Sequence, residues 1–158
     1  DELRNGMKTY AGVDRRFDFK IKSNRHVLLS DYAHHPKEII QSARSLKEIY
    51  PNRKITVIFQ PHLYSRTKDF YMDFAEALSH FDEVILTEIY PAREKPMPGV
   101  TSALIYDNLK SNVEKQMIKK DDVLQFAKSR DFDVLVVLGA GNLDNYTEQL
   151  AEIIKEKE

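Results

Sequence analysis

Two adjacent histidines stand out in the stretch "DYAHHP", in which Asp31, Tyr32, His34 and His35 precede Pro36. A carboxylate, a phenol and imidazoles can transfer protons or bind metal ions near neutral pH. Zinc-binding side chains are commonly about two to five residues apart, so adjacent imidazoles match a single ion poorly. If the segment carries no chemistry, His35 caps a helix and His34 is merely exposed.

Three other segments carry groups of the kinds that bind anions or nucleotides in other proteins, and each also has a purely structural explanation. Arg66 in "QPHLYSRT" could hold a carboxylate or phosphate through two parallel hydrogen bonds, or could be a solvated residue at a helix start. Arg15 and Arg16 in "GVDRRF" could bind a phosphate or flank a strand. "GAGN" (139–142) lacks the third glycine of a dinucleotide fingerprint, although its glycines would allow a close approach of the backbone to a loop or ligand.

Apolar runs that alternate with amphipathic segments predict the elements that position these groups. Strands are expected at 17–22, 26–32, 54–60, 83–90 and 132–141, with a weak strand at 115–118 and a possible hairpin between the first two. Helices are expected at 36–50, 66–80, 101–111, 121–129 and 143–157. This order predicts a three-layer, Rossmann-like α/β domain, with a mainly parallel sheet of about six strands and helices on both faces.

In such sheets, ligands bind beyond the carboxyl ends of the strands. Each unusual polar segment follows a predicted strand, so one edge of the sheet should collect these side chains. The expected set is Asp31, Tyr32, His34, His35, His62, Tyr64, Arg66, Tyr90, Glu94 and Asn142.

Composition narrows the class of protein. The 158 residues carry a net charge of -1 without a basic run, so neither a nucleic-acid nor a membrane partner is predicted. The sequence has no cysteine, which fits a reducing cytoplasm, and no phosphate loop of the form GxxxxGK[ST]. It also lacks an initiator Met, and we expect it to be a piece of a longer protein.

The segments "GVDRRFDF", "DYAHHPKEI", "FQPHLYSRTKDF", "EIYPAREKPMPGVTS" and "LGAGN" resemble, in order and spacing, the carboxy-terminal domain of the bacterial Mur ligases. The resemblance is strongest to the branch of the family that adds L-alanine, and it runs from about Gly12 to Asn142. It implies that residues 1–12 are a linker from a central ATPase domain and that residues 13–158 form the carboxy-terminal domain.

The resemblance also implies an activity for the full protein, a three-domain cytoplasmic ligase of peptidoglycan precursor synthesis. ATP would convert the lactyl carboxylate of UDP-N-acetylmuramate to an acyl phosphate, which the amino group of L-alanine would attack. The implied cofactors are ATP and Mg²⁺, with the metal ligands mainly on the central domain. The implied partners are the two substrates and the protein's own central and amino-terminal domains, and the fragment alone should be inactive.

Individual roles follow from the same resemblance. Asp31 matches the acid that hydrogen-bonds the ribose hydroxyls of ATP, and Arg16 matches a basic position that reaches towards the phosphates. Tyr32 and His34 match positions near the incoming alanine, and His34 is the catalytic candidate. Arg66 matches the arginine that holds the carboxylate of alanine.

The sequence departs from the family pattern at one position, where Leu63 stands in place of the second arginine of many relatives. Arg66 would therefore act with other donors. His35, His62 and Glu94 match motif positions without an assigned role.

Three rival functions also fit parts of the sequence. A murein-peptide recycling ligase has an "AHHP"-like segment but is expected to lack "QPHLYSRT". A stand-alone nucleotide-binding or regulatory module would use the same sheet edge without catalysis. A metal hydrolase would be built on the histidines, which their spacing argues against.

Overall fold

The computed structural model of the chain describes residues 16–158. Its sheet has six strands in the order β1-β2-β6-β3-β4-β5. They are β1 (Asp18–Lys22), β2 (Val27–Asp31), β3 (Ile55–Phe59), β4 (Glu83–Leu86), β5 (Glu114–Met117) and β6 (Val134–Leu138). β1 pairs antiparallel with β2, and the other neighbours are parallel. The predicted mainly parallel sheet and amino-terminal hairpin are therefore confirmed.

Helices cover both faces of this sheet. The α-helices are α1 (Pro36–Ile49), α2 (Tyr64–Leu78), α3 (Ala103–Tyr106), α4 (Val123–Lys128) and α5 (Thr147–Lys155). One apolar core joins the sheet to α1, α2 and α3, and a second joins it to α4 and α5. Side chains alternate along a strand, so Val57 and Phe59 enter the first core while Ile58 enters the second.

Burial on both faces explains why β6 is an uninterrupted apolar run, and why β3 is apolar except at Thr56, instead of alternating with polar residues. Every residue of these two strands is buried, as expected for central strands of a parallel sheet covered by helices. The outermost strand β5 is exposed at all four positions, which explains its weak sequence signal.

Several predicted boundaries differ from the structure, and the largest difference is in the segment 101–111. Only Ala103–Tyr106 is α-helical there, although Ile105 and Leu109 are buried with helical spacing. Asp107 and Asn108 follow directly, and such short polar side chains favour turns over helix interiors. The predicted strand 83–90 ends its ladder at Leu86, and the helices predicted at 121–129 and 143–157 each begin with a 3₁₀ turn.

The predicted linker at residues 1–12 and the residue Arg15 lie outside the described part of the chain. Within residues 16–158, no helix is both long and apolar enough to cross a membrane.

Candidate active site

The loops after β2, β3, β4 and β6 meet at the carboxyl edge of the sheet. The backbone N–H of Leu63 donates to the carbonyl of Tyr90 at 2.9 Å, and the Tyr90 N–H donates to Pro61 at 2.8 Å. The N–H of Gly139 donates to the carbonyl of Asp31 at 3.3 Å. The polar segments that the sequence singled out are therefore fixed side by side by backbone hydrogen bonds.

Five side chains at this edge form one continuous group, the imidazole cluster (Tyr32, His34, His62, Arg66 and Tyr90). The ring centroids of Tyr32 and His34 are 5.1 Å apart, and those of His34 and His62 are 6.4 Å apart. His62 stacks on Tyr90 at 5.6 Å, and Arg66 lies 3.2 Å from Nδ1 of His62. The cluster thus contains all three residues predicted for the amino-acid side of the site, together with two that had no assigned role.

The protonation of His62 follows from its contacts. Its pKa is lowered from the usual 6.5, first because burial disfavours the charged ring and then because Arg66 and His34 lie nearby, while Glu94 acts in the opposite direction. Nδ1 of His62 can accept a hydrogen bond from Arg66 only when it carries no proton. His62 is therefore neutral at pH 7, and four of the five guanidinium N–H groups of Arg66 remain for an anion.

The two adjacent histidines have different surroundings. Nδ1 of His34 is 3.1 Å from the carbonyl oxygen of Tyr32 and 3.9 Å from the carboxylate of Glu38. His35 occupies the N-cap position of α1, with Pro36 following in the first turn, but its side chain makes no capping hydrogen bond. Its ring instead lies 6.0 Å from that of Phe70. His35 therefore occupies the predicted capping position, but its side chain does not cap the helix. The predicted helix start at Pro36 is confirmed.

Asp31 and Arg16 lie in a second region, the Asp31 pocket, an open pocket of about 320 Å³. Its lining residues are Arg16, Phe17, Asp31, Ala33, Glu38, Gln41, Ser42 and Ser45. The carboxylate of Asp31 accepts a short hydrogen bond from the hydroxyl of buried Ser42 and one of 3.3 Å from the N–H of Ala33. These bonds fix the carboxylate at the pocket wall and leave acceptor capacity on its oxygens.

The start of α2 has an unusual backbone. Leu63 occupies the N-cap position with φ 72° and ψ 137°, a region that side chains other than glycine rarely adopt, and its side chain makes no capping bond. Glu94 approaches from the loop after β4 and accepts hydrogen bonds from the hydroxyl and the N–H of Ser65. Together with the Tyr64 N–H, these bonds lower the pKa of Glu94, so that it is ionised at neutral pH.

The segment "GAGN" packs against a neighbouring loop. A Cβ at Gly139, where φ is 136°, would lie 2.9 Å from the carbonyl oxygen of Gln60. A Cβ at Gly141 would overlap the amide of Gln60 and lie 3.0 Å from Cβ of Tyr90. The same amide donates to Asn142 at 3.1 Å. Both glycines therefore serve the predicted close approach to a loop.

Two polar residues of this region were missed in the sequence. Gln60 is 2% exposed and accepts a hydrogen bond from the N–H of Leu143 at 3.0 Å, and Ser42 is 5% exposed. The sequence signal that could have found them was a polar residue directly after an apolar strand, as at Gln60, or on the apolar stripe of a helix, as at Ser42, because buried polar groups need hydrogen-bond partners.

No group of three or more His, Asp or Glu side chains within residues 16–158 is arranged to hold a metal ion.

Comparison with known proteins identifies the class. Residues 15–156 match the family model described as "Mur ligase, glutamate ligase domain". The chain belongs to this family.

Within this family, the chain is similar to ligases that carry one particular enzyme name. The chain is 55% identical over 157 residues to a UDP-N-acetylmuramate–L-alanine ligase of Phocaeicola vulgatus, covering 99% of this chain and 34% of that protein. It is 49% identical to the ligase of the same name from Parabacteroides distasonis, covering 98% of this chain and 33% of that protein. The chain thus spans about a third of the length of these relatives.

Solved structures agree with the fold. The UDP-N-acetylmuramate–alanine ligase of Thermotoga maritima superimposes with a TM-score of 0.77 at 28% identity, over 98% of this chain and 33% of that one. A murein peptide ligase of Psychrobacter arcticus gives a TM-score of 0.71 at 18% identity, over 95% of this chain and 32% of that one, a likeness of fold alone.

Proposed function

We propose that this chain is the carboxy-terminal domain of an ATP-dependent ligase that joins L-alanine to UDP-N-acetylmuramate. The observation that carries the proposal is the position of Arg66, held by a neutral His62 on the same sheet edge as the Asp31 pocket. One edge thus offers an anion-binding guanidinium and a fixed carboxylate, as an amino acid and a nucleotide ribose require. The names of the 55% and 49% identical relatives support the same substrates.

On the nucleotide side, Asp31 would accept hydrogen bonds from the ribose hydroxyls of ATP. Ser42 and the N–H of Ala33 hold the carboxylate in place, so little reorganisation is needed on binding. Arg16 lines the same pocket and would extend towards the phosphates. Mg²⁺ would neutralise phosphate charge from ligands outside this domain, and the described residues would orient the nucleoside.

On the amino-acid side, Arg66 would bind the carboxylate of alanine. The amino group of alanine would then face the other side chains of the imidazole cluster, near Tyr32. The amine must lose a proton before it can attack the acyl phosphate. When Nδ1 of His34 donates to the carbonyl of Tyr32, its Nε2 is left as an acceptor for that proton. Attack then forms the C–N bond, inorganic phosphate leaves with the electrons of the broken C–O bond, and the second proton of the nitrogen passes to the departing phosphate.

The proposal includes the domain arrangement and the place of action. Residues 1–12 would be the linker to a central domain with the ATP phosphate loop, and residues 13–158 would close over the nucleotide and the UDP-sugar. The fragment alone would then be inactive. The proposed reaction would take place in the bacterial cytoplasm, where ATP and nucleotide-linked sugars are available.

The division between the two sides can be tested with Asp31→Ala in the full-length protein. We expect the KM for ATP to rise about 10- to 100-fold, because hydrogen bonds to a charged acceptor are lost. The KM for L-alanine should stay within about twofold, as should both constants in the control Glu48→Ala, which removes an exposed acid from α1, the helix whose Ser42 holds Asp31. An unchanged KM for ATP would remove Asp31 from the nucleotide site.

A further inference from the structure

Helix α2 begins without a cap of its own. The first N–H groups of a helix have no partner within the helix, and they form its positive end. Leu63 at the N-cap has no side-chain oxygen that could accept from them, and it adopts a strained backbone conformation. Because Arg66 lies in this first turn, the direction of its guanidinium depends on how well the turn is held.

Glu94 supplies the missing cap from a different loop. Its carboxylate accepts the N–H of Ser65 at 3.1 Å and the hydroxyl of the same serine, and it interacts with the N–H of Tyr64. The loop is closed by the Glu94 N–H, which donates to Pro91 at 2.9 Å, next to the backbone pairing of Tyr90 with Leu63. One carboxylate thus ties the loop after β4 to the helix that carries Arg66.

The charge of the Glu94 carboxylate also affects where an anion can bind near the N-terminus of α2. A helix N-terminus with free N–H groups attracts anions, so a substrate carboxylate could bind there instead of at Arg66. The carboxylate of Glu94 already binds the N–H groups of Ser65 and Tyr64 and repels a second anion. The N-terminus of α2 is therefore less open to the substrate, and the carboxylate is directed to the guanidinium of Arg66, which His62 holds within the imidazole cluster.

We propose that Glu94 is a positioning residue for the amino-acid substrate, which holds the first turn of α2 and directs the substrate carboxylate to Arg66. This inference rests on the proposed function, because it assumes that Arg66 binds the carboxylate of an amino acid. Glu94 itself does not touch the substrate. Its effect should therefore appear in the binding of L-alanine and not in that of ATP.

The test compares Glu94→Ala, Glu94→Gln and the control Lys95→Ala in the full-length protein. Glu94→Ala should raise the KM for L-alanine roughly fivefold to tenfold, the scale of a lost helix cap, with the KM for ATP within twofold. Glu94→Gln keeps an acceptor oxygen at the same reach and should recover part of the loss. Lys95 is an exposed neighbour in the same loop, and its replacement should change neither constant.

Hydrogen exchange of the backbone amides of residues 62–68, in the same full-length proteins, provides a measurement that does not depend on enzyme activity. Exchange should be faster in Glu94→Ala than in the wild type and unchanged in Lys95→Ala. If Glu94→Ala leaves the KM for L-alanine and the exchange unchanged, or raises both KM values equally, the positioning role is wrong. If the wild-type protein does not ligate L-alanine while exchange responds as expected, the proposed function fails and the capping role stands.

Discussion

Replacing Arg66 by alanine is expected to raise the KM for L-alanine of the full-length protein by about 10- to 100-fold. The guanidinium keeps four N–H groups after its bond to His62, and Leu63 offers no second cation beside it. The loss should fall mainly on KM, because the carboxylate is held equally in the ground state and the transition state. Steady-state kinetics at saturating ATP and UDP-N-acetylmuramate measure it.

Two further variants test whether the effect on the KM for L-alanine is specific to the guanidinium of Arg66. Arg66→Lys keeps the charge but not the planar fork of donors, and we expect a KM between those of the wild type and Arg66→Ala. Lys68→Ala removes an exposed cation two residues along the same helix and should have no effect. A KM for L-alanine that is unchanged in Arg66→Ala would exclude Arg66 from the amino-acid site.

Replacing Arg130 by alanine is expected to lower the free energy of unfolding by about 2–3 kcal/mol, near the lower end of the range for breaking a buried ion pair, since Arg130 stays 29% exposed. Arg130 binds both carboxylate oxygens of buried Glu83, at 2.6 and 2.9 Å. Thr56 and Lys54 also contact that carboxylate and limit the loss. Urea unfolding of this chain measures the change, with the exposed Lys128→Ala as the control.

The same ion pair predicts a dependence of stability on pH. Burial alone would raise the pKa of Glu83, but the hydrogen bonds and charge of Arg130, the hydrogen bond of Thr56 and the charge of Lys54 together outweigh it, so the pKa lies below the usual 4.5. The folded state then binds fewer protons than the unfolded state as the pH falls below that value. The stabilisation is present above about pH 4.5 and is lost as the pH falls through the folded pKa.

Glu83→Gln separates this contribution from that of other acids. The variant should show a shallower loss of unfolding free energy below pH 4.5 than the wild type. Equal slopes in the two proteins would show that Glu83 keeps an ordinary pKa in the folded chain.

The fold could be predicted because its central strands are apolar at nearly every position and its main helices have clear amphipathic stripes. The edge on which the polar segments meet followed from the parallel sheet alone, since each segment comes after a strand. The predictions were poorest at 101–111, where buried Ile105 and Leu109 have helical spacing but the chain turns towards β5. Helical spacing could not distinguish a helix from a series of turns there.

The fine structure of the site could not be predicted, because it depends on contacts between distant segments. Ser42 reaches Asp31 only when α1 packs on the sheet, and Gln60 meets "GAGN" only because β6 inserts beside β3. The cap that Glu94 provides for α2 joins residues 29 positions apart. The roles of Asp31 and Arg66 were predicted from the resemblance to a family, because single residues at a sheet edge do not identify their ligands.

The most direct test of the proposed function is an assay of the full-length protein for amide formation with ATP, UDP-N-acetylmuramate, a panel of amino acids and a murein peptide. We predict that L-alanine gives stoichiometric ADP, phosphate and UDP-N-acetylmuramyl-alanine, and that omission of ATP abolishes the product. Ligation of a murein peptide in preference to L-alanine, or the absence of any ATP-dependent amide product, would contradict the proposal.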